Sequence, residues 1–129
     1  MKKIFIAVAL LLSSQAVMAE LVWFGDGLDF DAYYIDDSVR KKGSKVKVWV
    51  VWDYSSAQAF DSGLEFMSMK NQQEYDCYGE LSRTVYYTAV SGILGRGDIV
   101  SSANESSSGF NPVIPGTNDE KLFRELCIK

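Results

Sequence analysis

Between Val46 and Tyr54 every second residue is β-branched or aromatic, and no other feature constrains the chain as tightly. Val46, Val48, Val50, Trp52 and Tyr54 share one face of an extended segment, whereas Lys45, Lys47, Trp49, Val51 and Asp53 share the other. A helix would scatter these residues around its circumference, so a period of two specifies a strand. The second face changes from charged to apolar midway, as in a central strand that is covered at one end.

Segments 21–24, 32–36, 64–77, 81–91 and 98–103 read as further strands. Between them lie turn residues: Gly and Asp over 25–31, Lys41-Lys42-Gly43-Ser44, Asp61-Ser62-Gly63, Tyr78-Gly79-Glu80, and the three glycines of 92–97. Residues 37–44 are read as a polar turn and the Ser-rich stretch 104–109 as a solvent-exposed loop. The period then changes. Pro115-Gly116 breaks the chain, Thr117 and Glu120 have the spacing of a capping box, and Leu122, Phe123 and Leu126 make one apolar face. The expected fold is α+β and mostly β, an antiparallel meander of about six strands with one C-terminal helix of about ten residues packed on it.

Residues 1–19 have the layout of a secretory signal peptide. Lys2 and Lys3 precede an apolar run over 4–12, and the segment ends in Val17-Met18-Ala19, which places cleavage after Ala19. The run is well short of the roughly 20 residues that span a bilayer. No cysteine lies near Ala19, so a lipid anchor is not expected, nor is membrane insertion after cleavage. The expected product is one exported domain, residues 20–129, destined for the periplasm, the cell surface or the exterior. At 129 − 19 = 110 residues it can bury roughly 60–70% of its unfolded surface. In an oxidising compartment its two cysteines are most simply one disulfide, Cys77 to Cys127, closing a loop of 127 − 77 = 50 residues. An intermolecular bond or a reactive thiol is the alternative.

Leaving out the leader, the charge balance is (13 − 2) − 17 = −6. With its lysines taken as scattered, such a domain has no electrostatic basis for holding nucleic acid or anionic lipid, and neither is expected as a partner. The chain contains no histidine. That removes Ser-His and Cys-His nucleophilic pairs, imidazole acid–base catalysis and most zinc or haem sites. Carboxylate pairs remain, but a small acidic domain leaves little room for a substrate cleft. No catalytic residue, metal or cofactor is expected, and the chain reads as non-enzymatic.

Three clusters carry a competing functional reading. Asp26, Asp29 and Asp31 lie close together in a Gly-containing turn, but their spacing does not match an EF-hand loop and they read as turn residues. Trp23, Trp49, Trp52, Tyr54, Tyr86 and Tyr87 occur at strand spacing and read as core or cross-strand pairs in preference to a binding face. Arg96-Gly97-Asp98 spells the tripeptide that integrin-binding proteins display on hairpin tips, and it falls in a glycine-flanked loop between two expected strands. It is a candidate receptor-binding loop, although the glycines also serve the turn itself.

The ordered landmarks of the chain resemble the surface-adhesin protein E family of small exported bacterial proteins. They are Tyr34-Ile35-Asp36, Ser38-Val39-Arg40, Val46-Lys47-Val48-Trp49-Val50, Asp53-Tyr54, Tyr75-Asp76-Cys77, Tyr87, Gly95-Arg96-Gly97, Pro115-Gly116-Thr117 and Cys127. The resemblance implies an antiparallel sheet with a C-terminal helix and attachment to host extracellular-matrix or plasma proteins. The alternative is a soluble periplasmic accessory or inhibitor protein that holds a periplasmic partner without host contact.

Overall fold

A computed structural model describes residues 20–128. The expected signal peptide and the expected cleavage point after Ala19 lie outside the described residues. The elements in chain order are β1 (Leu21–Asp26), β2 (Phe30–Ile35), β3 (Arg40–Lys42), β4 (Lys45–Ala59), β5 (Glu65–Asp76), β6 (Leu81–Val90), β7 (Ile99–Asn104), β8 (Asn111–Pro112) and α1 (Asn118–Cys127). They form one sheet in the order β1-β2-β4-β5-β6-β7, with β3 added beside β4 and β8 beside β6. Adjacent strands along the main path are antiparallel. This is the expected meander of six strands with a helix, extended by two short strands. No helix among the described residues is long and apolar enough to cross a membrane.

The alternating segment lies at the centre of the sheet as β4. Val46, Val48 and Val50 are buried on one face, where they meet Leu122, Phe123 and Leu126 of α1 together with Tyr34 and Tyr75. On the other face Val51 is buried under the turn at Ile93–Gly95, which accounts for the change from charged to apolar midway along that face. The turn is anchored by polar bonds. Asp53 accepts from the Leu94 N–H at 2.6 Å, while Ser68 Oγ accepts from the Gly95 N–H and donates to the Gly92 carbonyl.

Three stretches depart from the sequence reading. The turn expected over 25–31 is confined to residues 27–29, because Gly25 and Asp26 pair with Ala32 and Asp31, and Phe30 pairs with Tyr54. Residues 37–44 contain strand β3, not a polar turn alone. Its residues Arg-Lys-Lys carry no apolar alternation, and their pairing is imposed by the Gly43-Ser44 reversal, with Gly43 at φ 62°. β2 and β3 share one edge of β4, and Ser38 fills the gap between them by accepting from the Trp49 N–H at 2.9 Å. β4 also continues past Tyr54 to Ala59 through a bulge, because Gln58 and Ala59 pair with Phe66 and Glu65 of β5. Cys77 and Cys127 form the expected intramolecular disulfide, with Cα atoms 5.5 Å apart, and join the end of β5 to the end of α1.

Candidate functional site

Residues directly opposite each other in an antiparallel pair share a face. The register therefore continues the helix-covered side outward from β4, as Val48–Gln73–Thr84 and Trp52–Met69–Ala89. Tyr87 and Ala103 extend the same side to β7. α1 packs over Val46, Val48, Val50 and Tyr75 and leaves the outer part of this surface uncovered.

A cleft of about 460 Å³ opens at the N-terminal end of α1. Among the residues that line it are Trp52, Gln73, Thr84 and Tyr87 from the main strands, Asn111 from the short strand β8 and Asn118 from the helix. A smaller depression of about 200 Å³, lined by Phe60, Met69, Ala89 and Ala103, adjoins it and shares Tyr87. Tyr87 is 40% exposed and Phe60 36%. Trp52 is held by stacking on Phe30, with ring centroids 4.7 Å apart and planes 11° apart. Phe30 meets Tyr54, Tyr54 meets Phe66, and Phe66 meets Phe60. An aromatic chain thus borders the cleft and its extension.

The helix end of the cleft is fixed by Asp119. Its Oδ1 accepts from the Tyr75 hydroxyl and its Oδ2 from the Ser82 hydroxyl, each at 2.6 Å. The carboxylate lies in the first turn of α1, where the helix dipole favours negative charge. Burial, the Asp119 charge and the hydrogen bond to it push the Tyr75 hydroxyl well above its ordinary pKa. Both carboxylate oxygens are engaged, so Asp119 braces the helix against β5 and β6. Thr117 Oγ1 caps the helix by accepting from the Glu120 N–H, whereas the Glu120 carboxylate reaches the Gly116 N–H, one residue earlier than in a standard capping box. Asn118 Nδ2 donates to the Asp26 carbonyl at 2.9 Å, and a Cβ at Gly25 would lie 2.3 Å from Asn118 Oδ1, so a larger residue there would displace the Asn118 side chain.

The far wall is fixed by a second pair. Arg83 donates to Glu74 Oε1 from Nε at 2.9 Å and Nη2 at 2.7 Å. Its Nη1 donates to the carbonyls of Ser106 and Ser108, and its guanidinium lies over the Phe110 ring. The Ser-rich stretch 104–109 is therefore latched to the sheet, exposed as it is over much of its length.

Of the residues singled out from sequence, Cys77 and Cys127 are brought together at the opposite end of α1. Arg96, Gly97 and Asp98 line neither part of the cleft. They are exposed on the returning leg of the β6–β7 connection, whose turn folds over the opposite face of the sheet against Val51 and Lys70. The leg is tied by Gly92 N–H to Arg96 O, Ser91 N–H to Asp98 O and Asp98 N–H to Ser91 Oγ, each at 2.9 Å. Gly97 adopts φ 100°, which only glycine tolerates easily. Asp31 accepts from the Trp23 indole at 3.1 Å, and the Asp29 carbonyl accepts from the Ser55 N–H. The aromatics expected as core residues or cross-strand pairs are mostly at the margin of the core. Trp23 is 53% exposed and Tyr87 lies open, while the buried rings include Tyr34, Tyr75 and Phe123. Trp49 and Tyr86 do form a contact across β5, edge to face at 6.0 Å. The roles of Asp119 and Ser82 had no sequence signal, because a helix N-terminal acid and a strand serine are each common.

The sequence profile described as surface-adhesin protein E matches residues 25–128. The fold is similar to solved structures of Haemophilus influenzae protein E. One has a TM-score of 0.66 at 11% identity, with 91% of this chain and 90% of that chain covered. A second crystal form gives 0.65 at 12% identity, covering 87% and 90%. The protein from a non-typeable strain gives 0.63 at 12% identity, covering 91% and 82%. No curated protein sequence matches the chain.

Proposed function

Because the chain belongs to the surface-adhesin protein E family, we propose that it is an exported, non-enzymatic adhesin-like module that holds a host extracellular-matrix or plasma protein in the cleft beside α1. The observation that carries this reading is the uncovered strip from Trp52 through Tyr87 to Phe60. Aromatic residues and Met are enriched at the centres of protein interfaces, and rings already fixed by stacking lose little entropy on binding. The lack of histidine supports a binding role over catalysis.

The test is binding of the purified protein to a panel of immobilised matrix and plasma proteins. Tyr87→Ser, at an exposed ring, is expected to weaken the strongest interaction at least about tenfold while leaving the melting temperature nearly unchanged. Phe60→Ser is expected to act in the same direction. Binding that survives both substitutions would remove the cleft from the proposal. Protease treatment of intact cells tests the setting: digestion from outside supports the adhesin role, and protection until the outer membrane is opened favours a periplasmic partner.

A further inference from the structure

We propose that the β3–β4 hairpin is a second binding site, in which Arg40, Lys42, Lys45 and Lys47 hold a sulfated polysaccharide chain. Arg40 stands opposite Lys47, and Lys42 opposite Lys45. The four side chains therefore rise from the same face of a two-stranded ribbon. Strand spacing of about 4.8 Å and about 7 Å between alternate residues make them a compact grid. Like charges directly opposite one another destabilise a strand pair, and two such pairs are stacked here. All four residues are exposed, and none forms an ion pair among the described residues.

The carboxylates nearest in the register do not neutralise them. Glu74, opposite Lys47, is occupied by Arg83. Asp76, opposite Lys45, turns Oδ1 toward Ser44 Oγ and the N–H groups of Tyr78 and Gly79. Asp37 meets Arg40 through its carbonyl. Net charge conceals this arrangement. Positions 40–47 hold five basic residues and no acid, while the rest of the chain has 13 − 5 = 8 basic residues against 17 acidic.

The shape selects among polyanions. The four cations, with Gly43, Ser44 and the Arg83-bound Glu74, line a groove of about 630 Å³. A thin chain can lie in such a groove, whereas a flat lipid surface cannot follow it. A broad nucleic-acid duplex would extend beyond the hairpin over acidic surface and be repelled. Lysine ammonium groups are compact charges with rotatable donors, suited to sulfates presented at variable angles. Lys45 is further steadied over the Phe110 ring at 5.8 Å. This site lies apart from the aromatic cleft and calls for different chemistry, so either can fail without the other.

The experiment measures heparin binding by the purified protein and compares two variants of equal charge change. Lys45→Gln/Lys47→Gln is expected to lower affinity about 20-fold, whereas Lys121→Gln/Arg124→Gln, at exposed helix positions, stays within about twofold. Thermal melting of the hairpin variant should be equal to or above that of the parent, because a like-charge array has been relieved. Equal losses in both variants would reduce the effect to net charge and overturn the site. So would undiminished binding of desulfated heparin. Equally tight binding of a DNA duplex or of phosphatidylglycerol vesicles, abolished by the same hairpin variant, would overturn the assignment to a polysaccharide.

Discussion

Replacing both Cys77 and Cys127 with serine is expected to lower the stability of the protein by about 4 kcal/mol. The bridge closes a loop of 50 residues, and in the chain-entropy account its loss returns that freedom to the unfolded state. The location of the bridge adds a structural reason. α1 has ten residues, too few for a helix to persist alone in water, so it depends on docking through Leu122, Phe123 and Leu126. Without the tether at Cys127, its release would expose Val46, Val48, Val50 and Tyr75 to water. The melting temperature should fall on the order of 15 °C. Urea unfolding of the double variant against the oxidised parent measures the effect. A loss of less than about 1 kcal/mol would mean that helix docking alone holds this end of the molecule.

The second large effect is expected at Asp119. Asp119→Ala should cost about 3 kcal/mol, because it removes two charge-assisted hydrogen bonds and leaves a phenol without its acceptor. Tyr75 is 1% exposed, so water does not readily replace the lost partner. The same brace sets a response to alkali. The raised pKa of Tyr75 means that the folded state keeps this proton after an unfolded tyrosine has lost its own. The contribution is complete below the ordinary tyrosine value of about 10 and declines above it, by about 1.4 kcal/mol per pH unit, until Tyr75 ionises in the folded protein. Tyr75→Phe should remove that slope. The smaller contribution of Tyr54, raised by burial and then by the charge of Asp29, remains in the variant. Urea unfolding from neutral to strongly alkaline pH separates the two. An identical decline in parent and Tyr75→Phe would show that Tyr75 does not supply it.

The sequence alone determined the features that depend on neighbours along the chain. Alternation from Val46 to Tyr54 could only be satisfied by a strand with one face in a core. The pair Thr117 and Glu120 could start a helix wherever that helix came to lie, and two cysteines allowed only one intramolecular bond. Tertiary structure decided what the register and the position of α1 control. Trp52 and Tyr87 have the spacing of core residues, yet they border a cleft because a ten-residue helix covers only part of the sheet. Arg40 and Lys47 are seven positions apart and become neighbours only when the chain reverses at Gly43. Asp119, Tyr75 and Ser82 meet because α1 crosses the ends of β5 and β6. Periodicity records which side of a strand a residue occupies, whereas coverage and charge proximity arise from contacts between segments distant in sequence.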